Sequence, residues 1–154
     1  MAKTNEFEIY LGVLSTTTAK NDALDLTDYV DIADNEAFEV HEVDIVLDPT
    51  DSFPSSDTEA LFQLADSNIG AFVSHADRTS LYVQRQTFDN ATLGMFHQES
   101  FSSLTPLIVS KTIYLRNEVS TGTGNFTLRI KGKIVKPSAK DYMALVLTQT
   151  GNVA

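Results

Sequence analysis

The chain has 154 residues, 42% of them hydrophobic and 21% charged, enough apolar material for one core and too much for a disordered chain. No apolar run approaches the roughly 20 residues that carry a helix across a bilayer, and the opening Met1-Ala2-Lys3-Thr4-Asn5-Glu6 lacks the apolar stretch of a secretory signal. Cysteine is absent, which excludes disulfides, thiolate nucleophiles, zinc ribbons and iron–sulfur clusters, and a net charge of −10 argues against nucleic acid as a direct partner.

Strand signals dominate the pattern. Phe7, Ile9, Leu11 and Val13 alternate with Glu6, Glu8, Tyr10 and Gly12, the period-two signature of a half-buried strand. In Asn21–Asn35 aspartates recur at 22, 25, 28, 31 and 34, interleaved with Leu24, Leu26, Val30 and Ile32. A cation site would want such carboxylates clustered, but this spacing lacks the every-second-residue acids, the glycine and the late glutamate of a calcium loop. Solvated decoration of a surface segment is the expectation. Phe38 and Val40 then share one parity, and Val43, Ile45 and Leu47 take the other. The slip at His41-Glu42 predicts a β-bulge, and Asp48-Pro49 ends the run.

Ser56 and Glu59 fit a capping box, with Leu61, Leu64 and Ala65 on one helical face, so a short inserted helix is expected over Ser56–Asp66. Ile69–His75 and Leu81–Phe88 read as a strand pair about the turn Ala76–Thr79. Asp89–Thr105 is polar and reads as a long loop or irregular strand. Leu107–Leu115 and the run Phe126, Leu128, Ile130 and Ile134 read as a hairpin about Thr121–Asn125. The second arm alternates with Thr127, Arg129, Lys131 and Lys133, giving one wet basic face and one dry face. After Pro137, Ser138 and Asp141 would cap a short C-terminal helix carrying Tyr142, Met143 and Val146; a final strand over Met143–Leu147 is the alternative.

These elements describe one all-β domain over residues 1–154, a two-sheet antiparallel sandwich of jelly-roll or immunoglobulin-like type. The helix between strands and the uneven connections favour the jelly roll.

Charge is polarised along the chain. Residues 1–60 hold 15 acids and two bases, whereas 111–140 hold seven bases and Glu118 alone. The two regions are either complementary surfaces between subunits or solvated partners within one molecule, and the second is the expectation. His41, His75 and His97 form no metal-helix pair. No serine lies in a Gly-x-Ser-x-Gly elbow, and Gly122-Thr123-Gly124 lacks the third glycine of a dinucleotide fingerprint. We therefore expect no enzyme: no catalytic, cofactor-binding or metal residues, and no cofactor. Asn90-Ala91-Thr92 and Asn125-Phe126-Thr127 match the glycosylation acceptor pattern, which chance explains in a chain expected to lack a signal.

The double-sheet strand pattern, the insertion at Ser56–Asp66 and the late hairpin Leu107–Val135 with its short appendage resemble the small single-jelly-roll coat proteins of tailless viruses. They are also similar to minor coat or decoration proteins of phages. The resemblance implies a structural subunit of a virus particle, made in the host cytoplasm and located in the virion. Its partners would be copies of itself and other coat subunits, with no direct contact to nucleic acid. The alternative is a non-catalytic carbohydrate- or surface-binding module, with Tyr10, Tyr82 and Tyr114 on one outer face as its sugar platform.

Overall fold

The computed structural model describes residues 4–31, 34–52, 54–101, 107–109 and 112–144. Among the described residues nine strands run in chain order: β1 Phe7–Thr16, β2 Lys20–Asp25, β3 Ala37–Leu47, β4 Thr58–Ala65, β5 Ser80–Asp89, β6 Gly94–Phe101, β7 Leu107–Val109, β8 Thr112–Val119 and β9 Thr123–Val135. They build two antiparallel sheets, one of order β1-β9-β3-β7 and one of order β2-β8-β4-β5-β6. With β6 set aside, the remaining strands take the order of a jelly roll, β1-β9-β3-β7 over β2-β8-β4-β5. The expected β-sandwich is therefore what the chain forms, with β6 as an added strand on one flank.

The core follows from alternation on the facing sides. Ile9 and Val13 of β1, Val43 and Ile45 of β3, and Phe126, Leu128 and Ile130 of β9 point inward from the four-stranded sheet. Phe62, Leu64, Ile113 and Leu115 meet them from the five-stranded sheet. The rings of Phe62 and Phe126 meet edge-on at 4.9 Å, and those of Phe7 and Phe38 at 5.6 Å.

The slip expected at His41-Glu42 is present: the β3–β9 register shifts between Val40 and Glu42, so that β3 carries one extra residue. The C-terminal helix is present over 139–144, where Ser138 Oγ accepts from the Asp141 N–H at 3.2 Å. Tyr142 turns inward and is 6% exposed. Val146, and with it the alternative strand over Met143–Leu147, lies largely outside the described residues, as do Ile32 and Lys111.

Four expectations need correction. The Ser56–Asp66 helix is strand β4, flanked by β8 and β5. Six of its eight residues are buried, so it has neither the polar face of a surface helix nor the alternation of a half-exposed strand. The Glu59 N–H bonds to Ser120 Oγ at 2.8 Å, where a capping box would have turned it towards Ser56.

Second, Ile69–His75 is not a strand. Its Val73 backbone is held by the buried Gln63 side chain, which donates to Val73 O and accepts from Val73 N, both at 3.0 Å. That amide supplies the two bonds a neighbouring strand would have supplied, and β4 pairs with β5 across the long connection.

Third, β7 and β8 are separate strands in opposite sheets, and so are β8 and β9. The turn at Thr121–Gly122 is thus an arch between sheets, not a hairpin; Gly122 takes φ +66°, a conformation that favours glycine. Fourth, the polar Asp89–Thr105 stretch contains β6, which forms a hairpin with β5 in unbroken register. Asp89 anchors its turn by accepting from Ala91 N and Thr92 Oγ1.

Candidate functional site

The outer face of the four-stranded sheet is a charge-ordered surface. Strand β9 runs between β1 and β3 and presents Arg129, Lys131 and Lys133 in a row. Both neighbours present acids to it. Arg129 lies 3.3 Å from Glu8 on β1, 3.5 Å from Glu42 and 3.3 Å from Asp44 on β3. Lys131 reaches Glu6 at 3.5 Å and Lys133 reaches Glu39 at 3.9 Å, while Lys136 lies 2.6 Å from Asp34. The acidic first third and these bases of the 111–140 region therefore pair within one molecule. Each pair is partly exposed and worth little alone; together they set the bases of β9 against acids on both sides of it.

At the bulge His41 stands between two carboxylates, Nδ1 at 2.5 Å from Glu6 Oε2 and Nε2 at 2.7 Å from Glu39 Oε1. The bonds to Glu6 and then Glu39 raise the imidazole pKa above its ordinary value, and the same contact holds Glu6 below the ordinary carboxylate range. His75 bridges Ser80 Oγ and the Phe101 carbonyl, both at 3.0 Å. His97 is exposed on β6. The three histidines are thus not brought together.

Nor are the aspartates of 22–34. Asp22 pairs with Lys20 at 3.0 Å, and Asp25 accepts from Thr27 N and Oγ1 as the cap of a single 3-10 turn, Leu26–Asp28. Asp31 accepts from the Asp34 N–H at 3.3 Å. No group of three or more possible metal ligands exists among the described residues. The side-chain amides of Asn90 and Asn125 are engaged, donating to Pro54 O and Asp51 Oδ1.

Tyr10, Tyr82 and Tyr114 do not share a face. Tyr10 is 59% exposed on β1 and contacts Glu8, whereas Tyr82 is fully buried on β5 in the other sheet. The Tyr82 hydroxyl donates to Glu99 Oε2 at 2.5 Å, and burial is the main force raising its pKa.

The second surface was not legible in the sequence. The five-stranded sheet extends sideways through β6, and beside it opens a cleft of about 640 Å³ against Glu42–Leu47 of β3. Its floor carries Gln84 and Gln86 of β5, both buried, and its rim carries Met95, His97, Glu99 and Phe101 of β6. Gln86 Nε2 donates to the Ile45 carbonyl at 2.7 Å and ties the two sheets together there. Every residue of β6 after Gly94 is exposed, including Met95 (49%), Phe96 (67%) and Phe101 (39%). Met95 and Phe101 lie at the two ends of the inner face with His97 and Glu99 between them, and Phe96 lies on the outer face; exposed apolar groups on an edge strand suit a partner strand.

Comparison of the chain with protein-family models, curated proteins and solved structures finds no match in any of the three. The class defined by the strand order is a jelly-roll β-sandwich with an added flank strand.

Proposed function

We propose that this chain is a structural subunit of a virus particle, a coat or coat-associated protein that assembles with itself and with other coat subunits in the virion. The observation that carries the reading is the strand order, β1-β9-β3-β7 over β2-β8-β4-β5. That architecture serves coat domains widely, and also lectins and cupins. The charged face supports a role away from the genome, because Arg129, Lys131 and Lys133 already face carboxylates of their own molecule. Lateral contacts then fall to other surfaces than the acidic and basic regions of the sequence.

Light scattering of the purified protein, with negative-stain imaging of the same samples from low to high salt, tests the reading. Shells, rings or sheets of regular subunits are the expected result. A strict monomer at every salt and concentration, alone and with the other proteins of the particle, would overturn it.

A carbohydrate-binding module is the second reading, and the cleft favours it: two glutamines, a histidine and a carboxylate lie between Met95 and Phe101. Amides and carboxylates flanked by apolar surface suit a polyhydroxylated ligand. Its test is a glycan array, on which a signal lost in Gln84→Ala would favour it over the coat reading.

A further inference from the structure

We infer that strand β6 is a self-complementary edge through which two copies of this chain join in antiparallel register about a two-fold axis at Gln98. Among the described residues no strand pairs with the outer edge of β6. Natural edge strands are guarded by proline, lysine, inward-pointing charges, bulges or short length; the one inward acid of β6, Glu99, is engaged by the Tyr82 hydroxyl. Gly94–Phe101 has eight residues, no proline, no lysine and no break in its register with β5.

The sequence of the strand selects the partner. Met95, His97, Glu99 and Phe101 stand opposite the inward-facing Phe88, Gln86, Gln84 and Tyr82 of β5, and so share the inner face of the sheet. Phe96, Gln98 and Ser100 take the outer face. A two-fold axis normal to a sheet keeps each residue on its own face, so it must pass through a residue and not between two. With the axis at Gln98, Met95 meets Phe101 of the second copy and His97 meets its Glu99. Phe96 meets Ser100, and Gln98 meets itself. Symmetry repeats each contact, as an isologous interface requires.

Moving the axis by one residue sets His97 against His97 or Glu99 against Glu99. Opposite-charge and apolar cross-strand pairs stabilise, and like charges directly opposed destabilise. Only the Gln98 axis sets each imidazole against a carboxylate, and it overlaps seven of the eight residues of the strand. Glu99 is held on this face by the Tyr82 hydroxyl, and Phe101 by its ring contact with Tyr82 at 4.9 Å. The product is one continuous sheet of ten strands, twice the five of each copy.

The chain contains no cysteine, so a single thiol reports the axis. Under mild oxidation Gln98→Cys is expected to form a disulfide-linked dimer, while Thr87→Cys, exposed on the neighbouring strand, stays monomeric. Sedimentation gives the energetic test. His97→Glu is expected to weaken dimerisation by about tenfold or more through two symmetric repulsions, and the double variant His97→Glu/Glu99→Lys to restore it. Thermal melts of each variant certify folding. Equal linking of the two cysteine variants, a wild-type monomer throughout the accessible concentration range, or failure of the folded double variant to recover would overturn the inference. It stands apart from the coat reading. Dimers without particles would keep this pairing and remove that reading; particles whose Gln98→Cys chains do not link would do the reverse.

Discussion

Gly132 lies under the carbonyl of Glu39: a Cβ built on it would stand 2.1 Å from that backbone oxygen and 2.8 Å from the Phe38 ring. The relationship is made by the bulge, which brings β3 down onto β9 where Val40 pairs with Gly132. The glycine's role is to admit a close backbone approach. Gly132→Ala is therefore expected to cost at least about 2 kcal/mol, read as a lower urea midpoint. A variant as stable as the parent would mean that the bulge is softer than its geometry implies.

His41 sits on the same bulge, and its effect on stability depends on pH. Its pKa is raised in the folded protein by Glu6 and Glu39, so its contribution is fully present below the unfolded value and is lost as pH rises through the folded one. The Glu6 pKa is lowered by the same contact, so that contribution fades as pH falls through the folded value of Glu6. Urea midpoints of the parent and His41→Gln should differ most between the folded pKa of Glu6 and the unfolded pKa of His41, and converge as pH rises through the folded pKa of His41. A gap that does not change with pH would assign His41 to packing alone.

Asp66 follows β4, and burial pushes its carboxyl up to about 6, with Asp77 adding to the rise. Its Oδ1 has no hydrogen-bond partner among the described residues. An acid with a raised folded pKa favours folding at low pH and loses that advantage as pH rises through the folded value. Asp66→Asn should thus gain on the order of 1 kcal/mol at pH 7.5, after allowance for solvent screening, and little at pH 4. Scanning calorimetry would read the gain as about 2–4 °C in Tm; equal shifts at both pH values would point to a cause other than ionisation.

Phe62 is fully buried and meets Phe126 from the opposite sheet. Phe62→Ala is expected to cost about 3–5 kcal/mol, and Phe62→Leu far less because it leaves a smaller cavity. If Phe62→Ala fails to accumulate, the Leu variant still gives a measurable midpoint. An unchanged midpoint in both would mean that the ring does not join the two sheets.

What the sequence disclosed depended on whether a strand had one wet face. In β1 and β9 polar and apolar residues alternate because one side faces solvent, and both were readable, as was the phase slip at His41. Strand β4 is buried at Thr58, Ala60 and Phe62–Ala65, so no alternation remained, and Ser56 with Glu59 imitated a helix start. Strand β6 failed for the opposite reason: both of its faces are exposed. Glycine and threonine at 121–124 marked a reversal of the chain, but a turn signal does not say whether the next strand joins the same sheet. The cleft was hidden because it joins β3 to β5 and β6, which are far apart in sequence. Gln63 was illegible as well, since nothing local announces that a side-chain amide will pair with the Val73 backbone.

The pairing of β1 with β9 sets an order of events during synthesis. Among the described residues Phe7–Thr16 finds its only strand partner in Thr123–Val135, and β3 takes its longer pairing from the same late strand. An inner strand of that sheet thus leaves the ribosome after both of its neighbours, which wait for it with the facing edges unsatisfied. Contacts so distant in sequence make folding slow and leave the waiting chain prone to aggregation. Stalled or truncated chains ending before Thr123 would lack the strand that joins β1 to β3, a vulnerability that a hairpin-by-hairpin order of strands would have avoided.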